Sequence, residues 1–304
     1  MKKEKSPFYK FESLTDFHRM FGLAKPKHPL VSLIDIKQMS FDPATLPDAL
    51  IMDFYKIAYK NNVCGKAKYG QSYYDFGEGG LVFTSPGQVF EKPDGAATSG
   101  YMLLVHPDLT LSYSLAKQIK QYGFFSYAAN EALHLSDQER ATIITIFKII
   151  DEELNSRIDD FSQDVIVSQI ELLLNYSNRF YKRQFITRKA VAHDQLLRIE
   201  KILDEHFEND KAIVQGLPTV QYLADQMNLS PSYLSDMLRA LTGQNAQQLI
   251  HHKLVEKAKE ILSTSTLSVA EIAYRLGFEH PQSFTRLFKT KTKLSPVDFR
   301  RSFN

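Results

Sequence analysis

The feature that most limits what this 304-residue chain can fold into is an internal repeat near its C-terminus. The stretch Thr219 to Gly243 and the stretch from Leu267 onward match at a spacing of 49 residues up to a turn: Leu223 with Ile272, Ala224 with Ala273, Leu229 with Phe278. After one inserted residue the spacing is 50, pairing Leu234 with Phe284, Leu238 with Phe288 and Thr242 with Thr292. Any helical hairpin can imitate a single helix-turn-helix, but two in tandem are hard to obtain by accident.

Each copy carries its own start and stop signals. In the second, Ser268 caps a helix and Glu271 completes a capping box. Ile272, Ala273 and Leu276 form an apolar stripe, and Gly277 takes a turn that needs positive φ. Phe278 plugs the corner, and Pro281 opens the next helix. In the first copy Thr219 caps, Leu223, Ala224 and Met227 form the stripe, and Asn228 takes the left-handed turn. Ser230-Pro231 starts the following helix, with Leu234, Met237 and Leu241 facing in and Gly243 closing it. The motifs fall at about 220–241 and 268–289. Between them Asn245 to Leu262 reads as one long helix, with Leu249, Leu254, Ala258 and Ile261 on one side.

Upstream the pattern differs. Residues 1–112 are β-rich: Leu30–Ile36, Leu50–Tyr59, Gly80–Phe83, Gln88–Phe90 and Tyr101–His106 are short apolar runs separated by Gly- and Pro-containing turns, which predicts a sandwich or barrel. From Leu109 the reading becomes helical. Ser136 and Glu139 make a capping box ahead of Ile143–Leu154, and a helix over Phe161–Arg183 carries Val167, Ile170 and Leu174 as a stripe. The stripe suits packing within the chain or pairing with a second copy. Arg179–Lys189 holds five cations and no acid, as expected of a helix C-terminus and a solvated linker. Asp194–Phe207 opens the last domain with Leu196, Ile199, Leu203 and Phe207 on one face.

Charge separates the two halves. Net charge is +2 overall. Residues 211–304 hold 12 Lys/Arg against 7 Asp/Glu, leaving 25 against 28 for the rest. A basic C-terminal third on a slightly acidic body suits a polyanion partner for that third. With Cys64 as the single cysteine no intrachain disulfide forms, which fits a cytoplasmic chain. No signal peptide is read at the N-terminus, and no apolar run approaches a membrane span.

The C-terminal motifs resemble the DNA-binding domain of the AraC/XylS family of bacterial transcription regulators. The resemblance is carried by Leu223-Ala224, Leu229 through Ser235, Thr242-Gly243, Ile272-Ala273, Leu276-Gly277-Phe278, Ser283 through Lys289, Leu294-Ser295-Pro296 and Phe299-Arg300. The N-terminal part resembles the family's cupin-like sensor barrel through Phe83-x-x-Pro86-Gly87-Gln88 and Gly100 through Leu104. The fold implied is α+β: a cupin-like β-barrel at 1–112, a helical dimerisation segment at 113–183, a linker at 184–193, and an all-α tandem helix-turn-helix domain at 194–304. The resemblance also implies a cytoplasmic homodimer acting on double-stranded DNA, with a small-molecule effector and RNA polymerase as further partners and no cofactor.

Two recognition helices would then enter successive major grooves about 34 Å apart. The first offers Ser232, Tyr233, Ser235, Asp236 and Arg239. The second offers His280, Gln282, Ser283, Thr285, Arg286 and Lys289. Arg286 has the fork to grip guanine O6 and N7, Gln282 suits an adenine edge and Thr285 a thymine methyl. Lys289, Lys291 and Lys293 suit phosphate. Structural alternatives stand beside these roles: Arg286 can brace a carboxylate, Tyr233 can pack as core, and His280 suits a helix start. Asp236 stands where the second copy has Arg286, so it must pair internally or accept from cytosine N4. Lys293 stands where the first copy has Gly243, which predicts a different helix exit.

No metal chemistry is legible in the barrel region. His18, His28 and His106 are widely separated, and no H-x-H, H-E-x-x-H or C-x-x-C occurs. His251 and His252 point about 100° apart on a helix. Cys64 reads as a small buried residue rather than a nucleophile. Aromatic residues from Phe54 to Phe90 include Tyr55, Tyr59, Tyr73 and Phe83, candidates to line an effector pocket or to form barrel core. Two alternatives remain open: a barrel serving only dimerisation or protein contact, and a non-metal cupin enzyme with a DNA-binding appendage.

Overall fold

The computed structural model describes residues 8–42, 46–47, 49–61, 67–69, 72–74, 79–91, 99–128, 131–157, 159–187, 189–208 and 211–302. The chain divides into two compact units, Met1–Gln184 and Phe185–Asn304.

In the N-terminal unit the strands are β1 (Phe8–Phe11), β2 (Val31–Asp35), β3 (Ala49–Met52), β4 (Tyr55–Lys60), β5 (Ala67–Tyr69), β6 (Ser72–Tyr74), β7 (Gly80–Thr84), β8 (Val89–Glu91), β9 (Gly100–Val105) and β10 (Leu133–His134). Five of them form an antiparallel sheet in the order β10-β7-β4-β9-β2. A second sheet runs β1-β3-β8 with β1 parallel to β3, and β5-β6 is a separate hairpin. The run Leu50–Tyr59 is thus two strands. It breaks at Asp53-Phe54, where Asp53 N–H donates to Phe11 O, and the chain passes from the smaller sheet to the larger.

The α+β reading holds, but among the described residues the barrel is not closed. β2 and β10 remain edges, because the corner after β3 diverts pairing into a second sheet. The larger sheet also reaches past residue 112, since β10 pairs with β7. One face of that sheet buries Tyr55 and Phe83 against Phe124, Phe125 and Tyr181. Phe54, Ile34 and Leu104 pack with Phe11, Phe17 and Phe21, which lie on or beside α1 (Leu14–Met20) and β1.

After the short α2 (Leu115–Gln118) come α3 (Asp137–Asn155), with the Ser136–Glu139 capping box formed, and α4 (Ser162–Thr187). Val167, Ile170 and Leu174 of α4 are buried. Arg183 is not free for DNA: its guanidinium binds the Glu139 carboxylate and donates to His134 O. The span 184–193 is helical, apart from position 188, which lies outside the described residues. α4 ends at Thr187 and α5 (Lys189–Glu208) begins two residues on.

The C-terminal unit continues with α6 (Lys211–Gln215), α7 (Val220–Met227), α8 (Pro231–Thr242), α9 (Ala246–Thr264), α10 (Val269–Arg275), α11 (Pro281–Thr292) and α12 (Pro296–Arg301). Ile199, Leu203 and Phe207 of α5 are buried. On α9 the fully buried line is Ala246, Ile250, Leu254, Ala258 and Leu262, an i, i+4 series, with Leu249 and Ile261 half-buried beside it. The Arg300 guanidinium fixes α12 by donating to Leu262 O and Leu267 O at 3.3 and 2.6 Å.

Candidate nucleic-acid interface

The two helix-turn-helix motifs are α7-α8 and α10-α11, one at each end of α9. Their turns are built alike. Asn228 and Gly277 both adopt positive φ, 54° and 90°. Leu229 N–H reaches Ala224 O at 2.9 Å, and Phe278 N–H reaches Ala273 O at 3.0 Å. These bonds satisfy carbonyls that a helix end otherwise leaves open. Leu223, Ala224, Leu234 and Leu238 are buried in the first motif; Ile272, Ala273, Phe284 and Phe288 are their counterparts in the second.

Burial of those faces turns the polar faces of α8 and α11 outward. On α11, Gln282, Arg286, Lys289 and Lys291 are exposed, while Ser283 and Thr285 are half-buried. The Thr285 hydroxyl donates to Pro281 O within its own helix. Arg286 makes no ion pair among the described residues, so its fork is not spent on bracing the fold. His280 is the exposed N-cap of α11 without a side-chain capping bond. On α8, Ser232, Ser235 and Asp236 are half-buried, and Arg239 is exposed. The Asp236 carboxylate and the Arg239 guanidinium meet at 2.6 Å, so the two charges largely cancel. Tyr233 does not lie on the outward face. It is 4% exposed, and its ring packs edge-on against Phe185 at 5.1 Å.

Lys293 adopts φ 66° and ψ −1°, close to the 75° and 0° of Gly243. The exits of α8 and α11 are therefore the same, against the expectation of a difference. Thr292 explains how: its hydroxyl donates to Phe288 O at 2.8 Å, as Thr242 donates to Leu238 O at 2.8 Å. Each threonine oxygen also accepts from the second backbone N–H downstream, so the bend is set by local hydrogen bonds that override the lysine's preference.

Burial, with nearby Lys291 adding to it, lowers the pKa of His251 from its ordinary value. No group of three His, Cys, Asp or Glu suited to a metal occurs among the described residues, nor any helix long and apolar enough to cross a membrane.

In the N-terminal unit three of the four effector candidates are core residues. Tyr55, Tyr59 and Phe83 are buried in the core. Tyr73 lies on β6, with its side chain outside the described residues; Cys64 lies outside them entirely. A cleft among the described residues lies beside β2. It measures about 430 Å³ and is bounded by β2, the segment after α1 and the end of α3, with His18, Ser32, Asp35, Tyr101, Asp151 and Asn155 on its walls. His18 is held there through Nδ1 on Ala24 O and Nε2 on the Ser32 hydroxyl. Periodicity carried no signal for this cleft, because its walls come from segments far apart in sequence.

Residues 223–302 match a family model described as a helix-turn-helix domain. The match lies within the C-terminal unit and covers both helix-turn-helix motifs. An HTH-type transcriptional activator RhaS of Escherichia coli O9:H4 (strain HS) is 37% identical over 140 residues, 46% of each chain. The RhaS of Escherichia coli O1:K1 / APEC is 29% identical over 150 residues, 49% of each chain. Among solved structures, the C-terminal domain of the response regulator yesN from Fusobacterium nucleatum is 30% identical, with 35% of this chain and 98% of that one covered and a TM-score of 0.31. The chain spans about half the length of these curated relatives.

Proposed function

We propose that this AraC/XylS-type chain is a sequence-specific transcription regulator that grips double-stranded DNA with α8 and α11. The observation that carries the reading is the pair of helix-turn-helix motifs on one α9 frame, with Arg286, which makes no ion pair among the described residues, exposed on α11. Arg286 reads guanine and Gln282 an adenine edge, while Lys289 and Lys291 neutralise phosphate. Ser232, Ser235 and the Asp236–Arg239 pair orient α8 in the neighbouring groove. The RhaS relatives are described as transcriptional activators, which brings RNA polymerase into the proposal as a partner.

A homodimer fits α4, whose outward side exposes Val165 and Leu172, with Phe161 exposed just before its start. The cleft at His18, Asp35 and Tyr101 is large enough for a small-molecule effector, while Tyr55, Tyr59 and Phe83 are buried in the core.

Fluorescence anisotropy on a labelled duplex tests the central claim. Affinity falls by about 10³-fold or more between roughly 50 and 200 mM salt if six or more phosphates are contacted. Salt-independent binding, or none, overturns the reading.

A further inference from the structure

We infer that His206 is a positioning residue that ties the first helix-turn-helix to the turn of the second, holding α8 and α11 at one separation. The inference rests on the DNA-binding reading above. His206 sits near the end of α5, outside both motifs, and is 1% exposed. Its Nε2 lies 2.9 Å from Gly216 O. A carbonyl oxygen only accepts, so Nε2 carries the proton and donates. Nε2–H is therefore the donor to Gly216 O, and the buried Nδ1 is left without a hydrogen-bond partner among the described residues.

Three contacts radiate from this position. The imidazole meets the ring of Tyr222, on α7, edge-on at 5.1 Å. The next residue, Phe207, is in the core shared with Ile272, Phe278 and Phe284 of the second motif. The Gly216 carbonyl that His206 holds lies against Gly277, the turn glycine of that motif. A Cβ on Gly277 would fall 2.7 Å from Gly216 C and 2.9 Å from Gly216 O. The path Tyr222–His206–Gly216–Gly277 thus crosses from one motif to the other without using α9. A single connecting helix leaves each motif free to twist about its axis; a second connection removes that freedom.

The unpaired Nδ1 supports this reading. Stability alone favours an apolar side chain of the same size, which would leave no buried nitrogen unpaired. What histidine adds is a directed N–H of fixed reach.

The test uses the full-length chain and a duplex it selects from a random-sequence library. Derivatives of that duplex carry two or five base pairs inserted between the contacted grooves, which turns one site around the helix relative to the other. For the wild type, insertion costs roughly 10–100-fold in affinity as one helix loses its base contacts. His206→Leu lowers affinity for the parent duplex, and the insertion penalty shrinks below about 3-fold while non-specific binding is unchanged. His206→Gln, which carries an N–H at similar reach, restores the penalty. If His206→Leu does not fold, His206→Asn substitutes for it, keeping the polarity and shortening the reach; the same loss is expected. A folded His206→Leu or His206→Asn with the wild-type penalty overturns the inference. A wild type that selects no duplex overturns the DNA-binding reading itself, and this inference with it.

Discussion

The two helix-turn-helix motifs share a backbone and differ in what they do with it. Both use a left-handed residue at the turn, a proline at the start of the second helix and a threonine-closed exit. Their outward charges diverge. On α8 the acid Asp236 holds the base Arg239, while on α11 Arg286, Lys289 and Lys291 are exposed on a helix without an acid. One scaffold, copied, carries a paired acid and base on its first outward helix and three exposed cations on its second. Buried positions set the shared geometry, and the outward positions are free to differ.

That comparison can be broken first at the core. Phe284→Ala is expected to cost about 3–5 kcal/mol, and its counterpart Leu234→Ala about 2–5 kcal/mol, by loss of apolar burial and cavity formation. Chemical denaturation of both variants checks this. A loss below 1 kcal/mol for either would mean that its motif is not held by that core.

The outward faces come next. Arg286→Ala is expected to weaken specific binding by about 1–3 kcal/mol and to relax sequence preference, with non-specific binding little changed. Arg239→Ala should cost less, because its charge is already spent on Asp236. Asp236→Asn should release Arg239 and raise affinity a few-fold. Equal losses for Arg286→Ala and Arg239→Ala in titrations at one salt concentration would abolish the division of labour.

The exits offer a smaller, reciprocal test. Lys293→Gly is expected to stabilise by up to ~1 kcal/mol by relieving a side chain in left-handed backbone, and Gly243→Lys to cost about the same. Thermal melts of both would show opposite shifts. Shifts of the same sign would mean that the threonine bonds, rather than backbone strain, dominate.

The smallest effect concerns the caps. Glu271 accepts from the Ser268 N–H at 2.7 Å, and its carboxylate pKa is lowered by hydrogen bonding to Ser268. A group whose pKa is lower in the folded state adds stability above its unfolded pKa, and that increment is lost as pH falls through the folded value. The first motif has Tyr222 at the matching position and should lack this dependence. Glu271→Gln should remove this acid sensitivity, read from denaturation midpoints across the carboxylate range.

Legibility followed the range of the interactions. Caps, turns and stripes were readable because they are settled within about four residues: the capping boxes at Ser136 and Ser268 and the turns at Asn228 and Gly277 all formed. Strand positions at Leu30–Ile36 and Tyr101–His106 were readable from their apolar runs, but their closure into a barrel was not. Closure depends on which strand pairs with which, and the bend at Asp53-Phe54 diverted that pairing. Exposure was only partly legible. Tyr233 sits at an outward position by spacing, yet Phe185, from a distant segment, covers it.

By itself the sequence determined that there are two copies of one motif, where each helix starts and stops, and that the second copy is the more basic. Those are properties of short windows and of composition. Only the tertiary structure decided that Asp236 neutralises Arg239, that Arg286 stays unpaired among the described residues, and that His206 reaches the turn at Gly277 through Gly216. Each depends on side-chain geometry that residue type and spacing do not encode. The Asp236–Arg239 pair is a choice of rotamer on one helix, while the His206 contact brings together groups separated along the chain at distances of a few ångströms.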